Sequence, residues 1–491
     1  MTFTSLGLAL PATLPVALRL ARRSVLGLTL GLMLAACGGD DDGRGGADGS
    51  GPGVANATVT GPIGDAGLRG HALWDSWFDL ADLGYDEEEY FISGTAQADD
   101  GGAPAPYTTR IIVRRPQDPA HFNGTVLLDW VNVTAQFENA VDTLESHQLF
   151  HRDGYAYVHV SAQAAGLCCL PALTPKTWDP ERYADIDHPG DAYAFDIFSQ
   201  IAKALKQPRG VDAMNGLPVR AVLAMGQSQS ASRLYRYVTT VQARAGVIDG
   251  FLIHSGGGKT YDPAPSVPVI QLFSEAEADP APLADAKNYR GWEIAGAAHQ
   301  NAWVGLHQVV GQAGRAVASA PKLPASADEL LHDLTANYGE QVSPESLVCI
   351  VAGTQFPMRY AVNAAIHHLD RWVKTGTAPP QGPRYEFSGD SLARDGDGNG
   401  RGGIRYPVMD VPVARYASDL CGLGGITLPF NELQLLMRYP TFNDYRCRMQ
   451  AATQQSVMQG FLLPHDAAEL LSRVEGARNR WLVAGGNECG S

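Results

Sequence analysis

Apolar and polar positions follow two distinct rhythms along the chain. Residues 89–96 (EYFISGTA) and 107–116 (YTTRIIVRRP) are rich in β-branched and aromatic side chains and predict strands. Further short apolar runs follow at 124–133, 154–162, 219–226, 248–255, 267–274 and 289–296. Several are continuous rather than alternating, the mark of strands buried on both faces. Longer segments at 139–153, 193–206 and 230–244 separate many of them and predict helices. Such alternation predicts an α/β fold, a mostly parallel central sheet flanked by helices. After Gly296 the rhythm changes. Residues 361–374 predict one amphipathic helix, with Val362, Ala365, Ile366, Leu369, Trp372 and Val373 on one face, stopped by Gly376, Pro379 and Pro380. Residues 377–491 read as a loop-rich C-terminal extension with short helices near 431–437 and 467–478.

The strongest chemical signal sits where the run 219–226 meets the helix 230–244, at Gly226-Gln227-Ser228-Gln229-Ser230. A serine nucleophile on a sharp strand-to-helix turn needs small residues two positions to either side, because strand and helix approach closely there. The turn exposes the hydroxyl and aims the next backbone N–H at the oxyanion. Gly226 and Ser230 flank Ser228 at that spacing, although Ser230 stands where the strict motif has glycine. A rival register centres on Ser230, flanked by Ser228 and Ser232. It would extend the strand through Gln227 and Ser228, beyond the apolar run, so Ser228 is favoured. Taken alone, the turn competes with a serine that merely caps a helix.

The order of residues downstream supplies partners. In this fold the triad runs serine, acid, histidine along the chain. The strand 267–274 leads into Glu275-Ala276-Glu277-Ala278-Asp279, and the strand 289–296 leads into His299. His299 is therefore the expected base for Ser228, with a carboxylate holding its other ring nitrogen. Glu275 and Glu277 are near-equal candidates for that carboxylate, and Asp279 is a third. The loop after strand 124–131 is expected to offer a second oxyanion amide, near Val133, beside that of Gln229. Asn132 in the same loop reads equally as an oxyanion group or a loop cap.

The segments GYDEEEYFISGTA, PYTTRIIVRRP, FNGTVLLDWVNV, DPERYADIDHPGDAYAFDIFSQ, GQSQSASRL, WEIAGAAH, AAIHHLDRWVKTGTAPP and GNGRGGIRYPVMDVPVA occur in this order. Together they resemble a bacterial family of alpha/beta hydrolase domain proteins with little assigned biochemistry, over roughly residues 57–470. The resemblance implies the α/β-hydrolase fold and hydrolase chemistry. It also implies that Gly-x-Ser-Gln-Ser is the family's own form of the turn, which supports Ser228. The family's acid segment resembles Ser-Glu-x-Asp; here Glu277 stands at the Asp position, so the acid stays open between Glu275 and Glu277. The resemblance supplies no substrate.

Composition refines the setting. The formal charge of −15 over 491 residues argues against nucleic acid as a partner. Arg19, Arg22 and Arg23 precede an apolar run at 25–34 and then Leu34-Ala35-Ala36-Cys37. The run is short for a membrane span and has the form of a secretory signal. Its end resembles a bacterial lipoprotein cleavage box, with Cys37 lipidated as the anchor to the cell envelope. Residues 38–56 are Gly- and Asp-rich and read as a flexible tether. The expected organisation is a signal peptide at 1–36, a tether at 37–56, a hydrolase core at 57–376 and the extension at 377–491. Six further cysteines, Cys168, Cys169, Cys349, Cys421, Cys447 and Cys489, suit disulfides in an oxidising compartment, with the pairing open.

No metal or organic cofactor is called for by this chemistry. DGDGNG at 395–400 starts like a calcium loop, but its twelfth position is Tyr406 rather than glutamate, and it reads as a polar turn. Only residues 255–266 separate two strands where a cap is often inserted. A cover for Ser228 is therefore expected from 162–193 or from the extension, a candidate lid. The leading expectation is an exported serine esterase acting on a small-molecule or polymeric ester through an acyl-enzyme. A non-catalytic binding protein on the same scaffold, and an amidase or acyltransferase with the same triad, stay open.

Overall fold

The structure is a computed structural model and describes residues 53–168, 170, 172–329, 353–483, 485 and 489. The expected signal peptide, Cys37, most of the tether, Cys169 and Cys349 lie outside the described residues.

Nine strands form one sheet: β1 (Thr58–Thr60), β2 (Tyr85–Ala96), β3 (Ala105–Pro116), β4 (Thr125–Trp130), β5 (Ala156–Val160), β6 (Ala221–Gln227), β7 (Gly250–His254), β8 (Val269–Phe273) and β9 (Tyr289–Glu293). Their order is β1-β2-β3-β5-β4-β6-β7-β8-β9. The six from β5 to β9 pair in parallel, and β1, β2 and β3 add an antiparallel edge. Each of the eight strands expected from apolar runs is present.

Burial on both faces explains the continuous runs. Leu127, Leu223, Met225, Leu252, Ile270 and Leu272 point into one core with the helix α1 (Val141–Asp153). Their neighbours Val126, Leu128, Val222, Ala224, Phe251 and Ile253 point into the other core. That second core holds the helices α2 (Ala194–Lys206) and α3 (Gln229–Thr240). A strand's side chains alternate faces, so a sheet covered on both sides needs apolar residues at every position.

Beyond β9 lie α4 (Ala302–Leu306), a π-helical segment (His307–Gln312) and α5 (Met358–Thr375). The extension is more helical than its pattern suggests, with α6 (Glu432–Arg438), α7 (Phe442–Met458) and α8 (Pro464–Gly476). α7 escapes the periodicity because Thr453 and Ser456 share its buried face with Phe442, Tyr445 and Met449. The extension does not form a core of its own. Ile404, Tyr406, Met409, Tyr416 and Leu470 join the α5 side of the sheet. Ile404 also bonds through its backbone to Glu293 and Ala295, covering the end of the β9 edge. Cys447 and Cys489 form a disulfide, and Cys168 and Cys421 each take part in a disulfide too.

Candidate active site

β6 is fully buried and ends at Gln227, and α3 starts at Gln229. Ser228 joins them with φ 62° and ψ −115°, a backbone region that residues with a Cβ rarely occupy. Only close packing holds such a turn. A Cβ on Gly226 would lie 2.9 Å from the Cβ of Ser230. A Cβ on Gly256 would lie 2.7 Å from the Ser228 carbonyl oxygen. Ser230, the alternative nucleophile, is completely buried behind the turn, whereas Ser228 is partly exposed. The amide of Ser228 donates to the His254 carbonyl at 2.9 Å, tying the turn to the end of β7.

His299 follows β9 and turns back towards the serine. Its Nε2 lies 2.8 Å from Ser228 Oγ, and its Nδ1 lies 2.7 Å from Glu277 Oε1. The other oxygen, Glu277 Oε2, accepts from Ser274 N at 2.9 Å and from Ser274 Oγ at 2.7 Å. Burial pushes the Glu277 carboxyl up, but the His299 hydrogen bond and charge and the Ser274 donors outweigh it and hold it below the ordinary range. Glu277 therefore stays ionised beside the imidazole.

The other two acids go elsewhere. Glu275 does not meet His299; its Oε1 accepts from Gly296 N at 2.5 Å and its Oε2 binds Arg394 at 2.7 Å and the Ser418 hydroxyl. It clamps the β9 loop to the extension. Asp279 pairs with Lys259 and caps Ala281 N at 2.9 Å, on the surface.

The loop after β4 reaches the turn as expected. Asn132 Nδ2 donates to the Gln227 carbonyl at 3.1 Å, and its Oδ1 accepts from Thr134 N at 2.9 Å. Asn132 thus caps its loop and braces the turn. Val133 N faces Gln229 Oε1 at 3.5 Å, a long contact that an incoming oxyanion can replace. The amide of Gln229 itself heads α3, among the donors that a helix start leaves unpaired.

Further polar side chains brace the turn. Gln227 Nε2 donates to the His299 carbonyl at 3.0 Å and fixes the histidine loop. Gln163 Oε1 accepts from Gln229 Nε2 and from Trp130 Nε1, both at 2.9 Å. Gln163 in turn donates to Asp191 at 2.7 Å, and Asp191 pairs with Arg233 at 3.2 Å. The 162–193 excursion therefore lies against the turn, and Leu423 of the extension accepts from Gln300 N at 3.0 Å, next to His299. The one available signal for Gln163 is its place just past the C-terminal end of a strand, where α/β sheets bind ligands. The DGDGNG turn gathers no cation set: Asp395 caps Asp397 N and Asn399 N, Asp397 pairs with Arg438, and Asn399 bonds backbone of β10 (Ala414–Ala417).

The sequence matches the alpha/beta hydrolase domain family over residues 59–472. The chain belongs to this family. Among solved structures, this alpha/beta hydrolase is similar to the esterase Est22, with 11% identity, 40% of this chain and 67% of that chain covered, and a TM-score of 0.27. It is also similar to a cold-adapted esterase from an Arctic intertidal metagenomic library, at 14% identity, 42% and 86% coverage and a TM-score of 0.25. A CE15 glucuronoyl esterase from Teredinibacter turnerae T7901 aligns at 11% identity over 41% and 60% of the two chains, with a TM-score of 0.22. No curated protein matches.

Proposed function

We propose that this alpha/beta hydrolase is an exported serine ester hydrolase with the triad Ser228, His299 and Glu277. The observation that carries the reading is the chain of two short contacts, 2.8 Å from Ser228 Oγ to His299 Nε2 and 2.7 Å from Nδ1 to Glu277. Ser228 Oγ attacks the ester carbonyl carbon and passes its proton to Nε2. The amides of Gln229 and Val133 receive the oxyanion. Nε2 then protonates the leaving alcohol as the C–O bond breaks, which leaves an acyl-enzyme. Water repeats the sequence through the same nitrogen and frees the acid. Glu277 holds Nδ1–H and balances the imidazolium charge.

Labelling with a fluorophosphonate, followed by peptide mapping, tests the nucleophile. The expected adduct lies on Ser228 and is absent in Ser228→Ala. Folded protein without an adduct overturns the enzyme reading in favour of a binding scaffold. p-Nitrophenyl esters of graded acyl length then define the acyl pocket. For export, we propose lipid attachment at Cys37, on the periplasmic or outer-surface side of the envelope. Cys37→Ala is expected to release the protein from membranes, and retention there would sink the anchor.

A further inference from the structure

Away from the serine, two histidines and an aspartate converge in the interior. His147 lies on α1, and His307 opens the π-helical segment after α4. His147 Nε2 is 2.8 Å from Asp328 Oδ2, and His307 Nε2 is 3.2 Å from Asp328 Oδ1. All three residues are buried, and their ligating atoms lie within 4.8 Å of one another.

The far side of each ring decides what this cluster suits. His147 Nδ1 faces the Thr143 carbonyl at 3.3 Å, and His307 Nδ1 faces the Trp303 carbonyl at 2.9 Å. A carbonyl accepts only, so each Nδ1 carries the ring's proton. Each Nε2 of a neutral ring then turns a lone pair towards a carboxylate, which also only accepts. A proton on Nε2 would resolve either mismatch singly; one cation placed between the two rings and the carboxylate resolves both at once. The Nδ1–carbonyl bond is also the usual outer support of a metal-bound histidine.

The spacing and setting agree. Bonds of about 2.0–2.1 Å to a tetrahedral zinc put neighbouring ligand atoms about 3.3 Å apart; the Asp328 Oδ1 distances to His147 Nε2 and His307 Nε2 are 3.0 and 3.2 Å. Trp303 packs on the His307 ring at 4.2 Å and parallel to that of His147 at 6.0 Å, and its Nε1 is anchored on the Leu144 carbonyl. Gln148 Nε2 donates to Asp328 Oδ2 at 3.0 Å. A cavity lined by Ser76, Trp77, Phe78, Tyr85 and His151 adjoins both histidines and leaves room for a further ligand. π-Helical turns are frequent at functional sites.

We propose that His147, His307 and Asp328 form a binding site for a divalent transition-metal ion, zinc by ligand type. The ion clips α1 to the segment that leads away from His299. That segment is already tied to α1 where Asn301 Nδ2 donates to Glu145.

The test uses tag-free protein stripped with a chelator and then titrated with Co²⁺, whose visible d–d bands report tetrahedral binding. About one Co²⁺ per chain is expected, with bands displaced by Zn²⁺. Zn²⁺ is expected to raise the Tm, and EDTA to reverse the rise. His307→Gln and Asp328→Asn should abolish the bands, while His465→Gln on the surface should keep them. Should the variants fail to fold, the wild-type titration still decides. Folded wild type with no bands and no metal-dependent Tm, or bands that survive both variants, overturns the proposal. Those results would leave the cluster a buried imidazolium–carboxylate pair. None of these readouts depends on Ser228.

Discussion

Glu277 reaches His299 Nδ1 at 2.7 Å, whereas Glu275, in the same short turn, reaches Gly296 and Arg394 instead. Two neighbouring glutamates therefore have separable jobs. Glu277→Gln is expected to lower kcat about 10²- to 10⁴-fold with little change in Tm, since it loses control of the histidine. Glu275→Gln is expected to destabilise the protein by about 1–3 kcal/mol while leaving kcat within a few-fold in the folded fraction. Asp279→Asn should change neither. Steady-state kinetics beside thermal melts separate the three, and equal kinetic losses in both glutamate variants would contradict the assignment.

The contact between Gly226 and Ser230 predicts a compensating pair. Gly226→Ala forces a Cβ to within 2.9 Å of the Ser230 side chain and is expected to cost about 1–3 kcal/mol and most of the activity. Ser230→Gly alone should stay active. The double variant should recover part of the loss, because the closest contact is removed while those to Leu234 Cδ1 and the Ser230 backbone carbon, at 3.2 and 3.3 Å, remain. Denaturant melts and fluorophosphonate labelling of all three variants form the cycle.

Glu145 predicts an unusual pH dependence of stability. Burial pushes its carboxyl up to about 7, against the pull of His254, Asn301 and Arg359. Between about 4.5 and 7 the folded state keeps a proton that the unfolded chain has released. This contribution to stability therefore falls as pH rises through that window and levels off above it. Its full size is about 3 kcal/mol. Glu145→Gln should flatten the profile between pH 4.5 and 7. An unchanged difference between variant and wild type across that window would refute the protonated carboxyl.

Arg110 is buried completely and joins Glu89 and Glu138, both at 2.6 Å, to Tyr183 in the 162–193 excursion at 3.0 Å. Arg110→Met leaves buried carboxylates short of a cation and is expected to cost about 3–5 kcal/mol. It should also speed proteolysis within 162–193. Urea melts and limited digestion measure both, and a stable, protected variant would show that Arg182 and His159 suffice for these carboxylates.

How much was legible depended on whether the cause of a feature was local. All eight strands of the main runs, α1, α2, α3 and α5 follow from hydrophobic periodicity, because burial on one or both faces is written residue by residue. The meeting of Ser228 and His299 followed from motif and order, since a sharp strand-to-helix turn needs small residues at fixed offsets and the strand order carries His299 to it. α7 was hidden, because tertiary contact buries two hydroxyl residues on its inner face.

The choice between Glu275 and Glu277 lay beyond any local reading. Glu275–Glu277 form a 3₁₀ turn, which has three residues per turn, so side chains two apart point in different directions. Which direction finds His299 is settled by Ser274 gripping Glu277 on one side and by Arg394 and Ser418 drawing Glu275 away on the other. Those two partners lie 119 and 143 positions along the chain from Glu275. The meeting of His147, His307 and Asp328 has the same origin. The chain alone settles which residues are apolar, small or reactive; only folding settles which distant ones share a few ångströms, because that depends on the packing of whole elements against one another.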